Sequence, residues 1–103
     1  MRTHDIGALS DFVSGAACAV RLEDGELVVV RIEDDVYVLD DRCSHEAFWL
    51  SDGEVDAGTR EIECARHGAM FDLVSGEPLS LPATKPVARY DVTIRDGRVE
   101  VTW

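Results

Sequence analysis

Two close pairs of cysteine and histidine lie near the middle of this 103-residue chain. The first pair is spaced Cys-x-His and the second Cys-x-x-His, and the four residues are Cys43, His45, Cys64 and His67. A thiolate and an imidazole so close in sequence can both be presented by one turn. Two such turns would supply two sulfur and two nitrogen ligands, so the spacing predicts a metal centre clamped between two loops.

Two kinds of metal centre accept this ligand set. In one kind of [2Fe–2S] cluster two histidines replace two cysteines on one iron, and the potential then lies at about −150 to +300 mV. A tetrahedral zinc ion also accepts two cysteines and two histidines, which would make the chain a Cys2His2 zinc-binding interaction module. Common zinc fingers place both cysteines before both histidines, which is not the order here. A cysteine nucleophile would need only one such pair, so no catalytic residue is predicted.

The composition predicts one small acidic domain, residues 1–103. Ten Lys and Arg against 21 Asp and Glu give a net charge of −11, which argues against nucleic-acid binding and fits docking to basic proteins. The three cysteines are an odd number, which argues against a disulfide framework. No apolar run is long enough to span a membrane, and no apolar secretory segment follows Met1. We therefore expect a soluble, monomeric cytoplasmic protein.

The elements that must position the four residues are predicted to be short antiparallel strands. Apolar alternation or continuous apolar runs indicate strands at 17–22, 27–32, 36–39, 90–94 and 98–103. The run at 27–32 is nearly continuous, as in a strand buried on both faces. Asp24-Gly25 and Asp96-Gly97 predict hairpin turns. The chain is therefore expected to be all-β, a small sandwich or barrel.

The middle of the chain differs from both ends. From about residue 41 to 81 the alternation weakens, and glycine, proline, cysteine and histidine concentrate. This composition predicts a loop-rich subdomain inserted between strands of the outer sheet, with the metal centre on its loops.

Several side chains outside the ligand set also receive predictions. Cys18 shares a face with Val20 and Leu22 and is expected in the core. The acidic residues at 34, 35, 40 and 41 are expected in solvated turns. Phe48 and Trp49 have two open roles, either to shield or dock beside the metal centre or to pack the loop onto the sheets.

The two pairs and the residues after them resemble a Rieske ferredoxin. The matching pieces are Cys43-Ser44-His45, Cys64-Ala65-Arg66-His67-Gly68, Phe71-Asp72 and Ser75-Gly76-Glu77-Pro78. The likeness is to the ferredoxin component of bacterial ring-hydroxylating non-haem iron oxygenase systems. It implies the Rieske iron–sulfur fold, with an antiparallel β-sandwich base and a cluster-binding subdomain at about 41–81. It also implies one [2Fe–2S] cluster bound by the four paired residues, and Pro82 in a loop that covers the cluster.

The resemblance further implies an electron carrier that is not itself an enzyme. The expected electron donor is a flavin-containing ferredoxin reductase, and the expected acceptor is a terminal non-haem iron oxygenase. Two related roles stay open, the small Rieske-like subunit of a nitrite reductase and a Rieske protein of iron–sulfur assembly.

The resemblance also implies a reduction potential. High-potential Rieske proteins carry a serine after His-Gly and a tyrosine two residues later, whose hydroxyls donate hydrogen bonds to sulfur. Ala69 and Phe71 stand at those positions here. Without these donors the reduced state is stabilised less, so the sequence predicts a low potential, below zero and near the bottom of the Rieske range.

Overall fold

The computed structural model describes residues 2–23, 25–42, 49–64, 68–79 and 85–103. Within these ranges the regular secondary structure is almost entirely β-strand, which confirms the predicted class. The strands are β1 Thr3–Ala8, β2 Ala17–Leu22, β3 Gly25–Ile32, β4 Asp35–Asp40, β5 Val55–Asp56, β6 Glu61–Glu63, β7 Met70–Asp72, β8 Arg89–Arg95 and β9 Arg98–Thr102. Two 3-10 helices, Leu9–Asp11 and Leu50–Asp52, accompany them. None of the helices in these ranges is long and apolar enough to cross a membrane.

The strands form two antiparallel sheets. The larger has six strands in the order β1-β9-β8-β4-β3-β2, and the smaller has three in the order β5-β6-β7. The small sheet lies between β4 and β8 along the chain, where the sequence predicts an inserted subdomain. The limits of that subdomain at 41 and 81 stay a prediction.

Strand β3 is buried on both faces, as its apolar run predicts. Val28, Val30 and Ile32 belong to a core that includes residues of the small sheet. Leu27 and Val29 belong to a second core, which is closed by residues of β9. Because each buried aliphatic side chain contributes about 1.5–3 kcal/mol, this one strand stabilises both packing layers.

The hairpin turn at the end of the large sheet has the predicted geometry. Asp96 and Gly97 have φ of 52° and 73°, as a type I′ turn requires, and Arg95 pairs with Arg98 across it. Leu22 pairs with Gly25 at the other predicted hairpin, but Asp24 lies outside the described residues.

The prediction that Cys18 is a core thiol is wrong, because this side chain is exposed. Strand β2 is the last strand of the large sheet, so no strand in the described part of the chain pairs with its outer edge. The second core reaches Val20 and Leu22 on the same face and stops short of Cys18. Position on an apolar face therefore did not guarantee burial at the end of an edge strand.

An arginine connects the small sheet to the large one. Arg60, beside β6, donates from Nη1 to the Tyr37 hydroxyl at 2.8 Å, and its Nη2 lies 3.4 Å from the Asp35 carboxylate. Tyr37 and Asp35 both belong to β4. The exposed position predicted for Asp35 is confirmed, and the contact adds a polar link between the two sheets.

Gly76 is a position that the fold reserves for glycine. Its φ is +78°, and an added Cβ would overlap the carbonyl oxygen of Val87. The Val87 N–H donates to the Gly76 carbonyl at 2.9 Å, so the two backbones cannot separate without loss of this bond. The contact joins the turn after β7 to the segment that leads into β8.

We predict that Gly76→Ala destabilises the protein well beyond the cost of backbone strain. Gly97→Ala is the matched control, because Gly97 has φ of +73° and nothing within 4 Å of the added Cβ. The control should cost about 1–2 kcal/mol for the left-handed backbone, and Gly76→Ala about 1–3 kcal/mol more for the steric overlap. Chemical denaturation measures both. Equal losses of stability in the two variants would contradict a steric overlap between the added Cβ at position 76 and the Val87 carbonyl oxygen.

Candidate metal centre

The ends of the first ligand loop are held side by side. Arg42 and Trp49 form an antiparallel bridge, and the Leu50 N–H donates to the Asp41 carbonyl at 2.6 Å. Cys43 and His45 lie between these ends, outside the described residues. The structure therefore describes the base of this loop and not the predicted ligands within it.

A buried carboxylate ties the base of the loop together. Asp41 has no exposed surface, so the prediction that it lies in a solvated turn is wrong. Its Oδ1 accepts the Ser51 N–H at 2.6 Å, and its Oδ2 accepts the Ser51 Oγ–H at 2.8 Å. Nη2 of Arg21 lies 2.6 Å from the same Oδ2. These partners compensate for burial of the charge, which would otherwise be strongly unfavourable.

Arg21 also meets the aromatic residue at the end of the loop. Its guanidinium carbon lies 4.4 Å from the centroid of the Trp49 ring, within the range of a cation–π interaction. Trp49 therefore packs toward β2 while 36% of its surface stays exposed. This contact supports the packing role considered for Trp49, and Phe48 lies outside the described residues.

The second ligand loop is closed by two backbone hydrogen bonds. The Cys64 N–H donates to the Ala69 carbonyl at 2.7 Å, and the Gly68 N–H donates to the Cys64 carbonyl at 2.9 Å. Gly68 has φ of +71°, which a glycine adopts without strain. His67 lies between these residues, outside the described part of the chain.

Cys64 is fully buried at the point where β6 enters this loop. It belongs to the same apolar core as Leu50, which follows the first loop, and Phe71, which follows the second. The bases of the two predicted ligand loops therefore share one core. An enclosed sulfur at this point suits a cluster ligand, because metal coordination stabilises a thiolate that apolar surroundings alone would disfavour.

A third segment begins beside β7 and ends beside the turn that follows β7. The Leu79 N–H donates to the Met70 carbonyl at 2.7 Å before the segment, and Val87 bonds Gly76 after it. Pro82, which is predicted to cover the cluster, lies between them and outside the described residues. The flanks of the second and third segments thus lie beside strands β6 and β7, and Leu50 joins the end of the first loop to the core that these strands share.

The surroundings of Cys64 carry no hydroxyl at the two positions that matter for the potential. Ala69 and Phe71 are both fully buried, and both belong to the core that contains Cys64. Neither side chain can donate a hydrogen bond to sulfur. The structure therefore places apolar groups where high-potential members of the resembled family have donors.

An acidic groove of about 330 Å³ lies on the small sheet. Three carboxylates and three apolar side chains line it: Glu54, Val55, Asp56, Ala57, Glu63 and Met70. Glu63 immediately precedes Cys64, so this negative surface lies close in sequence to the candidate site. A basic partner surface would be attracted to this side of the small sheet.

Sequence reasoning missed Arg21 and Ser51 as residues of the site. The sequence could have placed Arg21 on β2, because the predicted Asp24-Gly25 hairpin sets Arg21 opposite Glu26. The Glu26 carbonyl in turn accepts the Asp41 N–H at 2.9 Å. No comparable signal existed for Ser51, whose contact depends on closure of the first loop.

Comparison with known proteins gives a consistent result across most of the chain. A family model described as the Rieske [2Fe-2S] domain matches residues 3–91. The ferredoxin component of a naphthalene 1,2-dioxygenase system from Pseudomonas putida is 36% identical over 94 residues, which cover 91% of this chain and 88% of the relative.

Solved structures share the fold closely. The ferredoxin of carbazole 1,9a-dioxygenase from Nocardioides aromaticivorans IC177 superposes with a TM-score of 0.94 at 33% identity, covering 98% of this chain and 97% of the other. A ferredoxin chain in a complex of reduced oxygenase and oxidized ferredoxin of carbazole 1,9a-dioxygenase gives a TM-score of 0.88 at 34% identity. That match covers 96% of this chain and 91% of the other.

Proposed function

The chain belongs to the Rieske [2Fe–2S] domain family, and on that basis we propose which of its residues bind the cluster. The family's cofactor is one [2Fe–2S] cluster, and the proposed ligands are Cys43, His45, Cys64 and His67. The observation that carries the proposal is the burial of Cys64 in a core shared with Leu50. Because the bases of both loops meet there, one Cys–His pair from each loop would complete one site.

The chain is a ferredoxin-type electron carrier and not an enzyme. A bound Rieske cluster supplies the capacity to accept and release one electron. We propose that the electron comes from a flavin-containing reductase and goes to a terminal non-haem iron oxygenase. The solved complex of a related ferredoxin with its oxygenase supports the second partner. We also propose that the carrier acts as a monomer in the cytoplasm.

The proposed cluster-binding subdomain spans about residues 41–81 within the single domain 1–103. Support comes from the small sheet β5-β6-β7 and from the core in which Leu50 and Cys64 bring together the bases of the loops that contain Cys43 and His67. The large sheet would then act as the base to which Arg60 and the shared core attach this subdomain.

The alternatives from the sequence have less support. A zinc-binding module does not fit membership in a family whose cofactor is an iron–sulfur cluster. A nitrite reductase subunit or an iron–sulfur assembly protein would share the fold. However, ferredoxin components of dioxygenase systems match at 36% identity over most of the chain.

We propose that the cluster has a low potential within the Rieske range. Ala69 and Phe71 are buried in the core that contains Cys64, so hydroxyl donors are absent from both positions. An electron added to the cluster would gain no hydrogen bond from either side chain. The reduced state is therefore stabilised less than in a site that has both donors.

We predict that Cys64→Ser and His67→Ala abolish binding of a native [2Fe–2S] cluster. The purified unsubstituted chain should contain two irons and two sulfides and show the visible absorption of a Rieske cluster. Cys18→Ser is the matched control, because it removes an exposed thiol from β2 and should keep the full iron and sulfide content. A zinc-loaded, colourless protein would contradict the proposal, and so would a Cys64→Ser variant with an unchanged cluster.

We predict that Ala69→Ser combined with Phe71→Tyr raises the midpoint potential. A donor whose bond strengthens by about 1.4 kcal/mol on reduction raises a one-electron potential by about 59 mV. Ala69→Val with Phe71→Leu keeps both sites apolar and serves as the control. Voltammetry of the intact protein measures the shift. A strongly positive potential in the unsubstituted chain would refute the low-potential proposal.

We predict that electron transfer from the reductase slows about tenfold as ionic strength rises from low to high salt. Glu54→Gln with Asp56→Asn should weaken this dependence, because both carboxylates line the acidic groove. Glu33→Gln with Asp34→Asn removes the same charge from the exposed β3–β4 turn and is the control. Stopped-flow rates at several salt concentrations compare the variants. If the electron-transfer rate depends on salt equally in both double variants, docking through the groove is excluded.

A further inference from the structure

The first ligand loop has an anchor made of three side chains from separate parts of the fold. Arg21 comes from β2, Asp41 from the end of β4, and Ser51 from the 3-10 helix after the loop. Asp41 lies at the centre, with both carboxylate oxygens engaged and its side chain fully buried. We call these three side chains the latch.

The latch acts on both ends of the same loop. Asp41 precedes Cys43 by two residues in the sequence. On the far side, Ser51 and Leu50 both donate backbone N–H groups to Asp41, to Oδ1 and to the carbonyl oxygen respectively. Asp41 therefore bonds to the segment after the loop through both its backbone and its side chain, beside the Arg42–Trp49 bridge.

Arg21 adds a connection to the base of the protein. Its Nη2 pairs with the Asp41 carboxylate, and its Nη1 donates to the Leu27 carbonyl at 3.4 Å on β3. The same guanidinium lies against the Trp49 ring. One side chain thus links the large sheet, the carboxylate before the loop and the aromatic residue after it.

From this geometry we infer that Asp41, Arg21 and Ser51 are positioning residues for the electron-transfer site. They hold the ends of the loop so that Cys43 and His45 are presented in one arrangement. The inference rests on the proposed ligand set. It goes further, because it assigns the retention of the cluster and the uniform geometry of its ligands to three residues that are not ligands.

The charges within the latch balance. The Arg21 guanidinium and the Asp41 carboxylate sum to zero, so the intact latch adds little net charge beside the cluster. Ser51→Ala removes one donor to Oδ2 and changes no charge. An effect of this variant on the cluster would therefore arise from positioning and not from a change in the local field.

The test uses the cluster-loaded protein and four variants. Ser51→Ala removes the hydroxyl, Ser51→Thr restores one, and Arg21→Met keeps an unbranched stem against Trp49 while removing the ion pair. Asp5→Asn is the control away from the site, because it breaks an exposed ion pair, in which Arg98 binds Asp5 at 2.9 and 3.1 Å on the β1–β9 side. There the Arg98 guanidinium lowers the pKa of the exposed Asp5 carboxyl.

Two measurements separate positioning from general stability. Cluster loss to an external iron chelator should be about tenfold faster in Ser51→Ala and faster still in Arg21→Met. The EPR spectrum of the reduced protein should broaden in both, because the ligands no longer take one arrangement. Ser51→Thr and Asp5→Asn should match the unsubstituted protein in both measurements.

Other outcomes would overturn the inference. If Ser51→Ala and Arg21→Met keep the cluster and its spectrum unchanged, the latch does not position the ligands. If Asp5→Asn shows the same losses, the effect is general destabilisation. Iron and sulfide analysis of the unsubstituted chain tests the presence of the cluster separately, since two of each would uphold it whatever the latch variants do, and Cys64→Ser and His67→Ala test the ligands. A chain without a cluster would remove both proposals.

Discussion

Burial of β3 on both faces is the constraint on which the rest of the structure depends. A single strand supplies apolar side chains to the core beneath the small sheet and to the core of the large sheet. Because alternate residues point to opposite faces, a shift of one residue in register would exchange the two sets. Because the apolar run is nearly continuous, β3 would still present apolar side chains on both faces after such a shift. The register is set by the hairpins on either side, in which β3 pairs antiparallel with β2 and β4.

That register has consequences for the candidate site. It brings Arg21, the Glu26 carbonyl and Asp41 to the same end of the large sheet. A buried carboxylate is tolerated there only because an ion pair, a hydroxyl and a backbone N–H compensate for the lost water. Such an arrangement contributes little to net stability when compared with an apolar replacement. It instead favours one arrangement of the loop ends, because few other arrangements would pair the Asp41 carboxylate.

The site combines an apolar interior with an acidic exterior, and the two have different roles. In the core that contains Cys64, the apolar side chains of Ala69 and Phe71 would give an added electron no hydrogen bond from either position. On the surface, the carboxylates that line the groove on β5 and β6 would attract basic partner surfaces and speed their approach. A carrier must collect its electron from one partner and release it to another. A cluster that holds the electron weakly and a surface that attracts basic partners are both compatible with that role. The chain therefore needs no substrate pocket of its own to fulfil that role.

Local patterns in the sequence determined the fold class, five of the strands, the Asp96-Gly97 turn and the spacing of the proposed ligands. These features depend on neighbouring residues, through side-chain alternation, turn geometry and short-range spacing. The short strands β5, β6 and β7 escaped prediction because three residues or fewer carry too little alternation to be distinguished from loops. The tertiary structure alone decided the exposure of Cys18 and the burial of Asp41, since each depends on what the sheet order places beside it. It also decided that Ser51 and Arg21 meet one carboxylate, because a hydrogen bond between distant residues forms only after the strands and the loop bring them together.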